Sequence, residues 1–411
     1  METTVTEPPS PWVSTMQAHC DRFNDQWIAM RRHLHQNPEL SDAEFLTTEY
    51  LTAELAKLGL PTHVPGEGRG VTAELVSPGQ PAQARRIAIR GDIDALPITD
   101  AKTVEYRSRC EGVMHACGHD VHATIVCGAM QLLATMQAEG SLPWPIAVRA
   151  ILQPSEELAT GARHMIHHHA LRDVDAIVAL HVDPTRSVGC VGLRYGILTA
   201  SCDAVHVRFV GKGGHGARPQ LANDPIDAAT HWVQSAFRRI GRTANPHSTV
   251  VFSIGHIEGG HSANVIPNSA SLSGTLRSLD QESRQTAWET LEDVCEAIER
   301  ETRVKVEMTM GSSAPAVVND KGLVNLLSDA ASEALTPGAI EWIDEPSMGS
   351  EDFSYYLELI PGAMFRLGVA GDQVGRAPLH TSTFDIDQRA IAVGCKLFAA
   401  AVIKYFEPDR S

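Results

Sequence analysis

The ten residues MHACGHDVHA, 114–123, hold one cysteine, three histidines and an aspartate. Thiolate and imidazole are the side chains that bind zinc and its neighbours in the first transition row, so metal chemistry is the first expectation. A closed structural zinc site takes four Cys or His ligands, usually with a C-x2–4-C pair. Cys117, His119, His122 and Cys127 lack that spacing, and there is no C-x-x-C dithiol for redox work. The stretch therefore reads as one corner of a larger centre.

The other corners lie where apolar runs end. RRIAIR leads into Gly91-Asp92-Ile93-Asp94, ILQP into Ser155-Glu156-Glu157, and IVAL directly into His181. Acids in such places also serve as turn and capping residues. In open α/β sheets, however, ligands bind in the crevice beyond the carboxyl ends of the strands, and three runs here end alike. Asp92 and Asp94, two apart, share one side of an extended chain. Cys117 and His119 open a helix spanning about 119–138, where the helix dipole opposes a cation, so anionic ligands must outweigh it.

The chain has 411 residues, more than one core usually supports, so two domains are expected. The first ten residues, with Pro8 and Pro9, read as a loose tail. Helices are predicted over about 17–36 and 41–58, the second opened by a capping box of Ser41 and Glu44. After Gly59, short apolar runs alternate with helices, the pattern of an α/β sheet. From about residue 200 the order becomes β-α-β-β-α-β, a ferredoxin-like unit. A helix over 320–335, the run AMFRLG and a helix over 388–405 then resume the first sheet. His164, His167 and His168 fall on one helix face, read as solvated.

Fifty acidic against 34 basic residues give a net charge of −16, which repels phosphate backbones and anionic membranes. No apolar run approaches the ~20 residues of a bilayer span, and no leader is evident at the N-terminus. Eight scattered cysteines suit a reducing, cytoplasmic setting.

Nine motifs in order, RRHLHQNPEL, GDIDALPI, MHACGHDVH, QPSEE, ALHV, GKGGHGARP, SANVIPNSASLSGTLR, MGSEDF and LHTSTFDID, resemble the N-acyl-amino-acid amidohydrolases. These form the hippurate hydrolase and auxin-conjugate hydrolase branch of the dinuclear metallocarboxypeptidases. The resemblance implies a catalytic α/β domain, residues 1–199 and 312–411, with a central mixed sheet flanked by helices. It also implies an inserted ferredoxin-like lid or dimerisation domain, residues 200–311, and a homodimer or higher homo-oligomer formed through it.

By the same resemblance, Cys117, His119, Glu157, His181 and His380 would bind two divalent ions (zinc, manganese, cobalt or nickel), with the Cys117 thiolate as bridge. Glu156 would be the general base acting on metal-activated water, and Asp94 would orient a histidine ligand. His215 would stabilise the oxyanion; Asn264 and Arg277 would hold the carboxylate of a small N-acyl amino acid. Gln220, Ser382 and GEGRGV (66–71) depart from the family pattern.

Three rival readings are a dipeptidase or carboxypeptidase of the same superfamily, a metal-binding sensor that hydrolyses nothing, and an NAD-binding oxidoreductase. The last rests on the G-x-G-x-x-G match of Gly211–Gly216, which requires the glycines to open directly into a helix.

Overall fold

The computed structural model describes residues 10–80, 85–245 and 247–408; most of the expected N-terminal tail lies outside them. In chain order the elements begin α1 (Pro11–Gln36), α2 (Phe45–Lys57), β1 (Thr62–His63), β2 (Val71–Val76), β3 (Ile87–Asp92), α3 (His119–Ala138), β4 (Ala147–Gln153), α4 (Gly161–His167), β5 (Ala176–Ser187) and β6 (Val191–Leu193). They continue with β7 (Gly196–Thr199), β8 (Ser201–Val210), β9 (Gly214–His215), α5 (Pro225–Thr243), β10 (Val250–Gly259), β11 (Val265–Ile266), β12 (Ser269–Ser278), α6 (Gln281–Thr302) and β13 (Lys305–Ala314). The last are β14 (Val317–Asn319), α7 (Lys321–Ala334), β15 (Ile340–Trp342), α8 (Ser354–Leu357), β16 (Gly362–Ala370) and α9 (Arg389–Tyr405).

Two compact units result: Met1–Gly196, Val318–Asp344 and Tyr355–Ser411 in one, Ile197–Val317 and Glu345–Ser354 in the other. The second unit thus also takes in a separate segment from beyond residue 312.

The first unit is built on a mixed eight-stranded sheet, order β1-β2-β4-β3-β5-β16-β6-β15. β3 runs parallel to both β4 and β5, and β5 parallel to β16. These inner strands read as nearly unbroken apolar runs because helices cover them: every residue of β3 is buried. α3, packed against α1, α9 and β3, is apolar and long enough by composition to cross a bilayer. Its burial in the core explains that composition.

In the second unit the four-stranded antiparallel sheet has the order β10-β12-β8-β13. β8 alternates buried and more exposed positions, the period of a sheet with one covered face. α5 and α6 pack on it around Trp232, Phe209 and Leu291. Asp224 and Asp280 cap these helices by accepting from Ile226 N and Ser283 N.

Two local expectations fail. α2 starts at Phe45, and neither Ser41 nor Glu44 makes a side-chain cap; both side chains are engaged elsewhere. His164 and His168 are half-buried, with rings 4.7 Å apart, so that helix face is not simply solvated.

Asp203 on β8 anchors the second unit. Its carboxylate is fully buried and accepts from Arg284 Nε at 2.7 Å, Trp288 Nε1 at 3.0 Å and Ser313 Oγ at 2.8 Å. Burial alone would raise this carboxyl, but those donors hold it below the ordinary range. Its contribution to stability is therefore present above ~pH 4 and is lost as acidification passes through the folded pKa. Asp203→Ala, which removes the buried acceptor shared by Arg284, Trp288 and Ser313, is expected to cost roughly 3 kcal/mol, read as a lower denaturant midpoint at neutral pH.

Candidate metal centre

Parallel pairing of β3 and β4 sets Asp92 beside Gln153, so the GDID and SEE turns emerge side by side at the carboxyl end of the sheet. β5, the other neighbour of β3, brings His181 to the same end. Gly118, at φ +89°, caps α3 between Cys117 and His119. A Cβ there would lie 2.5 Å from Val182 Cγ2, so only glycine lets the helix start this close to β5. His380 arrives from a distant loop whose backbone N donates to Ala116 O at 2.8 Å.

These elements bring five donors together. Cys117 Sγ lies 3.4 Å from His181 Nε2 and 3.3 Å from His380 Nε2. His380 Nε2 is 3.5 Å from Glu157 Oε1, and His119 Nε2 is 3.9 Å from both Glu157 Oε1 and Glu156 Oε2. Such separations match the edges of a coordination shell with ligand bonds of ~2.0–2.3 Å. Two triads, Cys117-His119-His181 and Cys117-Glu157-His380, share the thiol.

The donor set fits a divalent ion. His119 Nε2 and Glu157 Oε1 are buried without a hydrogen-bond partner among the described residues, an arrangement that is costly unless something else satisfies them. Burial pushes the Cys117 thiol and the Glu157 carboxyl up and the His181 imidazole down. A cation among them would favour thiolate and carboxylate, while a neutral imidazole is already the ligating form.

The opposite ring nitrogens are fixed. His119 Nδ1 donates to Asp94, 2.9 Å from its carbonyl O and 3.1 Å from Oδ1, and His181 Nδ1 donates to Val182 O at 2.8 Å. Each ring so held aims Nε2 at the cluster. His122 has no nitrogen to spare: Nδ1 donates to Asp92 Oδ1 at 2.6 Å, and Nε2 accepts from Val182 N at 3.0 Å. Asp92 also accepts from Arg90 Nη1 at 2.6 Å, and its Oδ1 lies 3.8 Å from His119 Nε2. His115 is buried, with neither ring nitrogen partnered among the described residues.

Several contacts around the donors were not anticipated from the sequence. Ser41 Oγ donates to Asp94 Oδ2 at 2.7 Å, and Glu157 N to the same oxygen at 3.0 Å. Behind the α3 N-terminus, Asp120 Oδ2 accepts from Arg31 Nε at 2.8 Å and His35 Nδ1 at 2.7 Å. Arg31 and His35 sit four apart in RRHLH, one helical turn, which is the hint their spacing gave. Ser382 departs from the family pattern without disturbing the loop: its carbonyl accepts from Ala101 N at 2.9 Å.

The remaining site residues belong to the second unit. His215 on β9 pairs with Val265 on β11, and Gly216 N donates to Asn264 O at 2.9 Å, so His215 and Asn264 lie together on a two-stranded ribbon. Arg277 is on β12, its Nη1 donating to Met348 O at 2.7 Å. Gln220 is exposed in a 3-10 turn. The Gly211–Gly216 run passes from β8 into β9 and that turn, and α5 begins only at Pro225. It is not the strand-to-helix turn of a dinucleotide site.

Residues 88–404 match the sequence profile of peptidase family M20/M25/M40. An N-acetyl-L-cysteine deacetylase of Bacillus subtilis is 38% identical, over 89% of this chain and 85% of that protein. An IAA-amino acid hydrolase of Arabidopsis thaliana is 32% identical, over 93% of this chain and 86% of its own length. A dinuclear metal-binding peptidase of the M20 family from Bacillus subtilis superposes with a TM-score of 0.78 at 33% identity, covering 93% of this chain and 98% of that one. With the profile spanning most of the chain and the donors gathered at one end of the sheet, the protein is a hydrolase belonging to peptidase family M20/M25/M40.

Proposed function

We propose that this protein hydrolyses the amide bond of small N-acyl or N-aroyl amino acids, releasing a carboxylic acid and a free amino acid. The observation that carries the reading is the gathering of five ligand-type side chains around Cys117 with Glu156 beside them. Deacetylase and amino-acid-conjugate hydrolase relatives support the substrate class. The two triads that share Cys117 Sγ support a count of two ions, which the Cys117 thiolate would help to hold.

Cys117, His119, Glu157, His181 and His380 would hold the ions. Imidazole, carboxylate and thiolate together accept zinc, manganese, cobalt or nickel. When bound, such ions polarise the amide carbonyl and acidify water. Glu156 takes the proton of the attacking water and returns it to the leaving amine nitrogen. Its neighbour Glu157 ligates, so one turn supplies both base and ligand. Asp94 fixes the His119 tautomer through Nδ1. His215 donates to the developing oxyanion, and Asn264 and the Arg277 guanidinium hold the substrate carboxylate. The enzyme is proposed to work as a homodimer or higher homo-oligomer through the second unit.

Free amine release from a panel of N-acyl amino acids and dipeptides, assayed with each of the four metals, tests the assignment. Activity confined to dipeptides would move it to a dipeptidase, and no release from any substrate would leave a binding protein. Glu156→Gln is expected to retain metal and lose ~10² or more in kcat; equal activity would remove Glu156 from the base role. Cys117→Ala is expected to lower the metal content of dialysed protein, and unchanged content would mean the thiolate is no ligand. Mixed His215→Ala and Glu156→Gln subunits are expected to regain part of the activity, whereas an inactive mixture would confine His215 to its own chain.

A further inference from the structure

The segment Glu39–Glu44 belongs to neither β3 nor β4, yet it touches the turn that follows each. Glu39 O accepts from Ala95 N at 2.8 Å, and Ser41 Oγ donates to Asp94 Oδ2. Glu44 reaches the other turn. Its side chain is fully buried, and Oε1 accepts from Ser155 N at 2.7 Å and from Ser155 Oγ at 3.2 Å. Asp42 closes the loop, with its N donating to Ser155 Oγ at 2.9 Å.

Ser155 needs such holding. Its φ is +52°, the left-handed region that a side chain with a Cβ seldom adopts, and it immediately precedes Glu156 and Glu157. Strained residues persist where their surroundings over-determine them; here Glu44 and Asp42 hold the N–H and hydroxyl, and Gly161 N donates to the Ser155 carbonyl at 3.1 Å. Without that grip Ser155 would relax to negative φ, and the two carboxylates after it would swing.

We infer that Glu44 is a positioning residue for the reaction: by accepting the backbone N–H of Ser155, whose hydroxyl has its shorter acceptor in Asp42 Oδ1 at 2.9 Å, it fixes the left-handed turn that aims Glu156 and Glu157. The inference rests on the roles proposed above for those two residues.

Glu44 Oε2 is buried without a hydrogen-bond partner among the described residues, 4.0 Å from Arg69 Nη1. Burial pushes the carboxyl up to about 7, with Asp94 adding to the rise and the Ser155 N–H and Arg69 opposing it. The atom that holds Ser155 N is Oε1, and glutamine keeps that acceptor and the shape. Alanine keeps neither.

The test compares Glu44→Ala, Glu44→Gln and Glu44→Ala in a Ser155→Gly background, since glycine adopts positive φ without support. kcat and KM are read on the best substrate of the panel, and manganese or zinc affinity by chelator competition. Glu44→Ala is expected to lower kcat at least tenfold, leave KM within about threefold and weaken metal binding about tenfold or more. Glu44→Gln is expected to stay within about threefold of the parent on all three. In the Ser155→Gly background the alanine change is expected to cost less than threefold.

A Glu44→Ala protein that merely melts earlier, with kcat and metal affinity intact, would overturn the inference. So would a Gln variant as damaged as the Ala variant, or a full alanine penalty in the glycine background. The metal-affinity arm needs no substrate, so it separates failure of this inference from failure of the amidohydrolase reading.

Discussion

Asp94 has almost no exposed surface, yet groups from three distant parts of the chain converge on its carboxylate: His119 Nδ1 at the start of α3, Ser41 Oγ from the loop before α2, and Glu157 N from the turn after β4. Burial by itself would keep such a group protonated. These donors instead hold the carboxyl below its ordinary range, so the charge is retained and all three contacts are charge-assisted. Every other feature of the donor cluster presupposes this hub. It sets the tautomer of one imidazole, and it ties the GDID turn to the SEE turn at a distance fixed by the parallel pairing of their strands.

Around the hub the fold distributes labour by stiffness. The inner strands place the turns with the accuracy of a hydrogen-bonded ladder, and two of the left-handed residues lie in loops that carry site residues. Ser155 and His380 both have positive φ, and each sits beside or at a proposed ligand. Strain of this kind is tolerated because neighbouring contacts over-determine the backbone. The buried Arg31-Asp120-His35 group ties the α3 N-terminus to α1.

Much of this was legible in the sequence because burial on both faces leaves a mark. The runs in β3, β4 and β5 and the limits of α3 follow from apolar periodicity and glycine placement, and the strand-end acids pointed to convergence. Ser41 and Glu44 were misread for a physical reason: the hydroxyl and carboxylate that make a capping box are equally able to serve partners more than fifty residues away, and local spacing does not distinguish the two. Segment Glu345–Ser354 joined the second unit without any periodicity that could announce it. The left-handed Ser155 was invisible too, since serine carries no propensity for that region.

His380 is supplied more than 190 residues after His181, and β16, which lies between β5 and β6 in the sheet, also comes from this last stretch of chain. During synthesis, four of the five donors leave the ribosome well before the strand that completes their sheet and the histidine that completes their set. Until then the nascent chain carries an open thiol, two imidazoles and a carboxylate with no finished cradle around them. In this architecture the donor set is complete only once the C-terminal fifth of the chain has been made.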